Sequence, residues 1–241
     1  MKTKSILILV LLSAMVVTSL TSCEKRIRKV GSGVLTTTTR NVSDFTELEV
    51  DGKFDVYVHI DDNPRVEITT DDNMLSEVQT FVSEGELQIE MSDDYYRFKF
   101  TKMEVHIYNN TYSSLDFDGN ITAYVVDTIF TPSLKLEHEG SGNSEVKFSG
   151  DNISMKVNGT GNIQASGSSL SSKVEINGSG KIDALDLPAS NVIAEIDGSG
   201  KIYVNAIEQL TAKINGSGSI KYIGSPTVNS SINGSGSVSP Y

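Results

Sequence analysis

The sequence predicts an all-β protein: a parallel β-helix, or β-solenoid, with repeats of 18–20 residues, preceded by an irregular β-rich portion. The first observation is a short glycine-containing motif that returns six times in the second half of the chain. Its first glycines are Gly140, Gly159, Gly178, Gly198, Gly216 and Gly234. The second observation is the alternation of apolar and polar residues on both sides of each motif, which is typical of strands with one buried face. A unit that recurs at a near-constant interval is typical of stacked repeat architectures.

Each repeat is predicted to contain a strand, a tight corner, a second strand and a variable loop. Asn-Gly or Asp-Gly opens most of the corners, because these residues tolerate the positive φ of a sharp turn. If each motif were a hairpin loop, the strands would be antiparallel and would form a meander or a sandwich. The near-constant spacing and identical phase of the repeats instead favour a coil whose equivalent strands pair in parallel.

Stacking would place polar side chains from successive corners above one another on the outside of the coil. The predicted ladder, which is also a candidate binding face, consists of Asn158, Asn177, Asp197, Asn215, Asn233, Lys181 and Lys201. Stacked amides satisfy one another's hydrogen-bond donors and acceptors. The two lysines share one phase in adjacent turns, so we expect them to turn outward or to pair with acids such as Asp183.

The chain before the repeats is predicted to be β-rich but less regular. Asp51-Gly52 and Asp118-Gly119 are weaker versions of the corner, and both lie among alternating apolar residues. Asp-Asp-Asn turns at 61–63 and 71–73 separate further short apolar runs. We expect this portion to pack on one end of the solenoid and close it.

The N-terminal segment 1–23 has the features of an export signal. Lys2 and Lys4 precede an apolar stretch at 6–17, and small residues follow it, as in a secretory signal peptide. The closing Leu-Thr-Ser-Cys resembles the lipobox of bacterial lipoproteins, in which the cysteine receives the lipid. Cys23 is the only cysteine of the 241 residues, so an internal disulfide cannot explain it. The alternative is a plain secretory signal with an incidental cysteine.

Four segments are therefore expected: a lipoprotein signal peptide at 1–23, a tether at 24–40, an N-terminal β-rich portion at 41–114 and solenoid repeats at 115–241. A lipid anchor at Cys23 would hold the mature protein on a membrane. We expect an exported outer-membrane lipoprotein that faces the periplasm or the cell surface. The oligomeric state is left open.

Charge and missing motifs exclude several classes of function. The segment 1–23 contains two lysines and no acids, so its removal changes the net charge from −11 to −13. Such an acidic chain lacks the basic surface that nucleic-acid binding requires. The sequence has no P-loop, HExxH or CxxC motif, and its corners lack the repeating aspartate of calcium-binding rolls. We therefore expect no cofactor and no metal.

One combination of segments resembles a known family. The chain reads FTELEVDGKFDVYV at 45–58, DNML at 72–75 and EGELQI at 84–89, and serial Gly-Ser-Gly corners follow. Together with the lipobox, these segments resemble the putative auto-transporter adhesin family called the head GIN domain, over about residues 41–238. The resemblance implies a β-helix-like fold in an exported bacterial protein and an adhesive role. It implies no catalytic residues.

Two polar residues occupy positions that the repeat assigns to the interior. His138 stands where Val157 and its equivalents stand, and Ser144 replaces Ile163. The pair is interpreted as a structural feature of an atypical first turn, with part of a site as the alternative.

The leading hypothesis is a non-catalytic, envelope-anchored, adhesin-like module whose repetitive polar face binds a glycan or an envelope protein. The first alternative is a polysaccharide-cleaving β-helix enzyme, which the absence of arginine from the repeats disfavours. The second alternative is a structural envelope module without a ligand.

Overall fold

The computed structural model describes residues 28–92 and 97–241, so the predicted signal peptide and Cys23 lie outside the described residues. The described residues form two units. In the smaller unit two short strands, β1 (Arg28–Val30) and β7 (Arg97–Lys99), pair in parallel. The larger unit contains the other strands and the candidate site.

The larger unit consists almost entirely of strands. They are β2 (Leu35–Asn41), β3 (Glu47–Ile60), β4 (Arg65–Asp71), β5 (Val78–Ser83), β6 (Glu86–Met91), β8 (Met103–Asn109), β9 (Ser114–Val125), β10 (Ile129–Phe130), β11 (Ser133–Gly159), β12 (Asn162–Gly178), β13 (Lys181–Gly198), β14 (Lys201–Gly216), β15 (Ser219–Ile223), β16 (Thr227–Gly234) and β17 (Ser237–Pro240). A short 3-10 helix spans Asp72–Glu77. Within the described ranges, no helix has the length and hydropathy that crossing a membrane requires.

The long strands stack in parallel as successive turns of one coil. β11 pairs with β12, β12 with β13 and β13 with β14, and equivalent residues of the repeats lie opposite each other. The coil has about six turns. The predicted β-solenoid is therefore confirmed, and the alternative of antiparallel hairpins is wrong.

The corners of the coil form a column of glycines. Gly178 has a φ of 133°, and a side-chain carbon built on it would lie 2.4 Å from the carbonyl oxygen of Gly159. That oxygen accepts a hydrogen bond from the backbone N–H of Ser179 at 2.9 Å. Only glycine fits both the backbone conformation and the close approach, which explains why the motif repeats.

The stack begins earlier than the sequence repeat indicates. The segment 47–58 of β3 pairs in parallel with all of β9, which places Gly52 against Gly119 in the glycine column. The predicted start of the solenoid at 115 misses this turn, because residues 61–113 separate two strands that are neighbours in space. β2 also crosses the predicted end of the tether at residue 40.

The inserted strands close the first end of the coil. β6 pairs in parallel with the first half of β3, and β8 pairs in parallel with its second half. Outside this layer the direction changes: β5 is antiparallel to β6, β4 to β8, and β2 to β4. The expected closing of one end by the N-terminal portion agrees with this arrangement.

The interior of the coil is filled by columns of aliphatic side chains. The column before the corner contains Val157, Ile176, Ile196 and Ile214, all of which are buried. Burial of each such side chain contributes about 1.5–3 kcal/mol to stability. The column becomes exposed in the last turn, where 42% of Ile232 is accessible to solvent.

Candidate functional site

The predicted ladder residues form two columns, one on each side of the glycine corners. Before the corner, Asn177 Nδ2 donates to Asn158 Oδ1 at 3.0 Å, and Asn158 Nδ2 donates to Glu139 Oε1 at 2.7 Å. The column continues in register through Asp197, Asn215 and Asn233. Asp197 interrupts the run of amides, as its sequence indicates.

Lys181 and Lys201 lie in the second column, on the strands that follow the corner. The ammonium of Lys181 forms an ion pair with Asp183 at 2.9 Å and lies 5.3 Å from the centre of the Tyr203 ring. The second column also contains a pair of amides, because Asn162 Nδ2 donates to Asn143 Oδ1 at 2.9 Å. Sequence reasoning did not select this pair, although both residues follow Gly-x-Gly motifs.

A surface groove of about 450 Å³ lies on this second side. Outward-facing residues from four adjacent strands line it: Tyr124, Asn143, Glu145, Asn162, Gln164, Lys181 and Asp183. They come together because Tyr124, Glu145, Gln164 and Asp183 lie opposite one another in register. The groove therefore combines one aromatic ring with planar amides and carboxylates. We call it the post-corner groove.

An aromatic stack adjoins the post-corner groove. Tyr124 stacks on Tyr57 with ring centres 5.4 Å apart, and Tyr57 stacks on His106 at 4.6 Å. A second row stacks His59 on Tyr108 at 4.5 Å. Tyr57 lies on the β3 side of Tyr124 and the groove lies on the β11 side, so Tyr124 turns one ring face toward the groove.

The two histidines of this stack are in direct contact. His59 Nε2 lies 3.0 Å from His106 Nδ1, so one ring donates and the other accepts. Burial, and then the neighbouring His106, lower the pKa of His59. On the other side of His106, Glu104 Oε1 lies 3.4 Å from Nε2. The pairing of β3 with β8 brings the two histidines together, although 47 residues separate them in the sequence.

The predicted interior pair, His138 and Ser144, lies in the core and not in the groove or the aromatic stack. His138 Nδ1 lies 2.7 Å from Ser144 Oγ, and both side chains are buried. Burial lowers the pKa of His138. Its Nε2 has no hydrogen-bond partner among the described residues. Gly161 packs directly on the ring, because a side-chain carbon there would lie 2.4 Å from His138 Cδ2. A substrate cannot reach these atoms, so the pair acts as part of the core.

A group of charged residues lies on the opposite side of the corners. Glu137 accepts hydrogen bonds from Lys156 at 2.7 Å and Asn158 at 2.9 Å, and it forms an ion pair with Lys135 at 2.9 Å. Burial, followed by repulsion from Glu137, raises the pKa of Asp116 to about 6. Among residues 28–92 and 97–241, no group of three or more His, Cys, Asp or Glu side chains has the arrangement of a metal site.

Comparison with known families and structures agrees with this architecture. Residues 44–226 match the family described as "Putative auto-transporter adhesin, head GIN domain". No curated protein matches the chain.

Several solved structures share the fold. A putative adhesin from Bacteroides fragilis is 26% identical, with a TM-score of 0.85, over 88% of this chain and 100% of that one. A putative lipid binding protein from Parabacteroides distasonis is 26% identical, with a TM-score of 0.77, over 89% and 100%. A putative adhesin from the same species is 27% identical, with a TM-score of 0.73, over 89% and 100%.

Proposed function

The chain belongs to the head GIN domain family of putative auto-transporter adhesins, and on that premise we propose that it is an envelope-anchored, non-catalytic module that binds glycans in the post-corner groove. The family and the adhesins of the same fold support an adhesin-like binding role. The ligand class is argued from the groove itself, and the anchor from the lipobox at Cys23.

The aromatic ring is the observation that carries the proposal. One face of a pyranose ring presents C–H groups, and such a face packs on an aromatic ring with both apolar burial and attraction to the negative ring face. Tyr124 offers a ring at the wall of the groove, and Tyr57 holds it in place from behind. A fixed ring loses little conformational entropy on binding.

Planar polar side chains supply the rest of a sugar site. Hydroxyl groups of a sugar both donate and accept, so amides and carboxylates suit them. Asn162 and Gln164 lie in the groove beside Glu145. The similar protein described as lipid-binding raises the alternative of an acyl chain, but most of the residues that line this groove have polar side chains, which favours a sugar.

The repeated architecture extends the same chemistry along the coil. Amide, carboxylate and lysine side chains recur in register on neighbouring turns. A chain of sugar residues can therefore contact several turns at once, each contact being weak. Such multivalent contacts raise the overall affinity without any single strong site.

A glycan array followed by titration calorimetry tests the proposal on the mature chain. We expect Tyr124→Ala to weaken binding about tenfold. Phe130→Ala is the matched control, because Phe130 is exposed and lies outside the groove. Equal affinities of the Tyr124 variant and the wild type would contradict binding in the post-corner groove. Absence of any glycan binding by the wild type would leave an envelope protein as the partner class.

Two further measurements test the anchor and the absence of catalysis. We expect the native protein to incorporate labelled palmitate and Cys23→Ala to incorporate none. We expect no release of reducing ends when polysaccharides bound by the wild type are incubated with it. Turnover that Tyr124→Ala abolishes would instead favour the polysaccharide-cleaving enzyme.

A further inference from the structure

The last described turn of the solenoid differs from all the others. It consists of β16 and β17, which pair with β14 and β15. Val228 and Ile232 face the interior column, yet 38% and 42% of them are accessible. Their equivalents one turn earlier, Leu210 and Ile214, are 1% and 0% accessible. Apolar side chains at this end therefore lack a covering layer in the described chain.

The backbone at this end also lacks partners. In the part of the chain that the structure describes, β16 pairs with β14 alone and β17 with β15 alone. Each strand therefore keeps a row of N–H and C=O groups on its outer side. Such an edge pairs readily with another strand.

Natural proteins usually protect an exposed edge with charged side chains. Residues 222–241 contain no Asp, Glu, Lys or Arg, although the whole chain has a net charge of −11. The turn before it contains Glu208, Lys213 and Lys221. Two acidic copies of this chain can therefore approach each other at the neutral end with the least repulsion.

We propose that this end is an interface with a second copy of the chain, formed by edge-to-edge pairing of the last turns around a two-fold axis. A two-fold axis makes paired equivalent strands antiparallel and uses the same surface twice. Val228 and Ile232 of each copy then cover those of the other.

Head-to-tail stacking is disfavoured by the other end of the coil. There the parallel layers give way to antiparallel pairs, in which β5 lies on β6 and β2 lies on β4. The outermost strand β2 does not continue the coil, so it offers no matching turn to β16 and β17. The interface is therefore closed at two copies and does not extend into a fibre.

Sedimentation equilibrium of the mature chain tests the proposal. We expect the wild type to be a dimer that dissociates on dilution, and Ile232→Lys to be a monomer, because it places two like charges at the two-fold interface. Ile193→Lys is the matched control: Ile193 is 44% accessible on the side of the coil, so this variant should remain a dimer. Circular dichroism verifies that each variant is folded, and Val228→Lys replaces Ile232→Lys if that variant does not fold.

Hydrogen exchange provides an independent readout. We expect the amides of β16 and β17 to be more protected in the wild-type dimer than in the folded Ile232→Lys monomer. A wild type that is monomeric at every concentration overturns the proposal. So does a species larger than a dimer, or a dimer that Ile232→Lys and Val228→Lys leave intact. Glycan binding is measured separately, so failure of this interface does not affect the proposed groove.

Discussion

His138 and Ser144 form a hydrogen bond of 2.7 Å inside the hydrophobic core. Ser144 bonds to Nδ1 of the ring, and Nε2 has no hydrogen-bond partner among the described residues. The turn that contains Gly140 thus has a buried contact between two polar side chains, one on either side of its corner.

Removal of the hydroxyl is expected to destabilise the fold. Ser144→Ala removes the side-chain partner of the buried imidazole, which costs about 1–3 kcal/mol. The double variant His138→Ile with Ser144→Ala should recover this loss, because later turns carry isoleucine at the same position, as Ile176 and Ile196 do. Urea unfolding measures both free energies. A double variant that is less stable than Ser144→Ala would contradict this explanation.

The same histidine predicts a loss of stability in acid. Burial lowers the pKa of His138 below its ordinary 6.5, so the folded state favours the neutral ring. Its contribution is fully present above pH 6.5 and is lost as the pH falls toward the lowered value. Thermal unfolding from about pH 7.5 to 5 should show a steeper decline in Tm for the wild type than for the His138→Ile, Ser144→Ala variant. Parallel Tm profiles of the two proteins over this pH range would contradict the role of His138.

The raised pKa of Asp116 predicts a change of stability with pH that has the opposite sign. Its pKa is raised to about 6 from an ordinary 3.8, so the folded state favours the protonated carboxyl. That contribution is present below pH 3.8 and is lost as the pH rises through 6. We expect Asp116→Asn to raise the Tm at about pH 7.5 and to leave it unchanged near pH 3.5. Asp151→Asn, at an exposed position, should change neither value.

In the glycine column, the loss of stability on substitution should depend on how closely the backbone of the preceding turn approaches. Gly178→Ala meets both a positive φ and the carbonyl oxygen of Gly159, so it should destabilise the fold by about 2 kcal/mol or more. Gly33→Ala is the control, since Gly33 has a φ of 85° but no atom within 4 Å. It should cost only the backbone strain, about 1 kcal/mol. Equal losses in chemical denaturation would show that the stacking contact contributes nothing.

The sequence indicated the repeats because stacking requires equal turns. Strands that pair in register need turns of equal length, so the corner glycine recurs at a nearly constant interval in the sequence. The turn that contains Gly52 was not predicted, because the inserted strands make its distance in sequence from Gly119 much longer than one repeat. In the structure the two glycines are adjacent in the column.

The post-corner groove could not be predicted from the sequence. Tyr57 and Tyr124 are far apart in sequence, and only the register of β3 with β9 makes them neighbours. The outward-facing residues of the groove differ in type from turn to turn, so the repeat gives no signal for them. The pairing of strands therefore had to be known before the aromatic stack and the groove could be recognised.

The insertion between the first two turns has a consequence for how this architecture can diversify. The chain leaves the coil after β3 and returns to it at β9, and the pairing of these two strands is undisturbed. Because each turn contacts only its neighbours, a loop between turns can lengthen into an entire subdomain while the layers on either side keep their alignment. New segments can thus be grafted at such a junction, and the solenoid can acquire additional surfaces without a new fold.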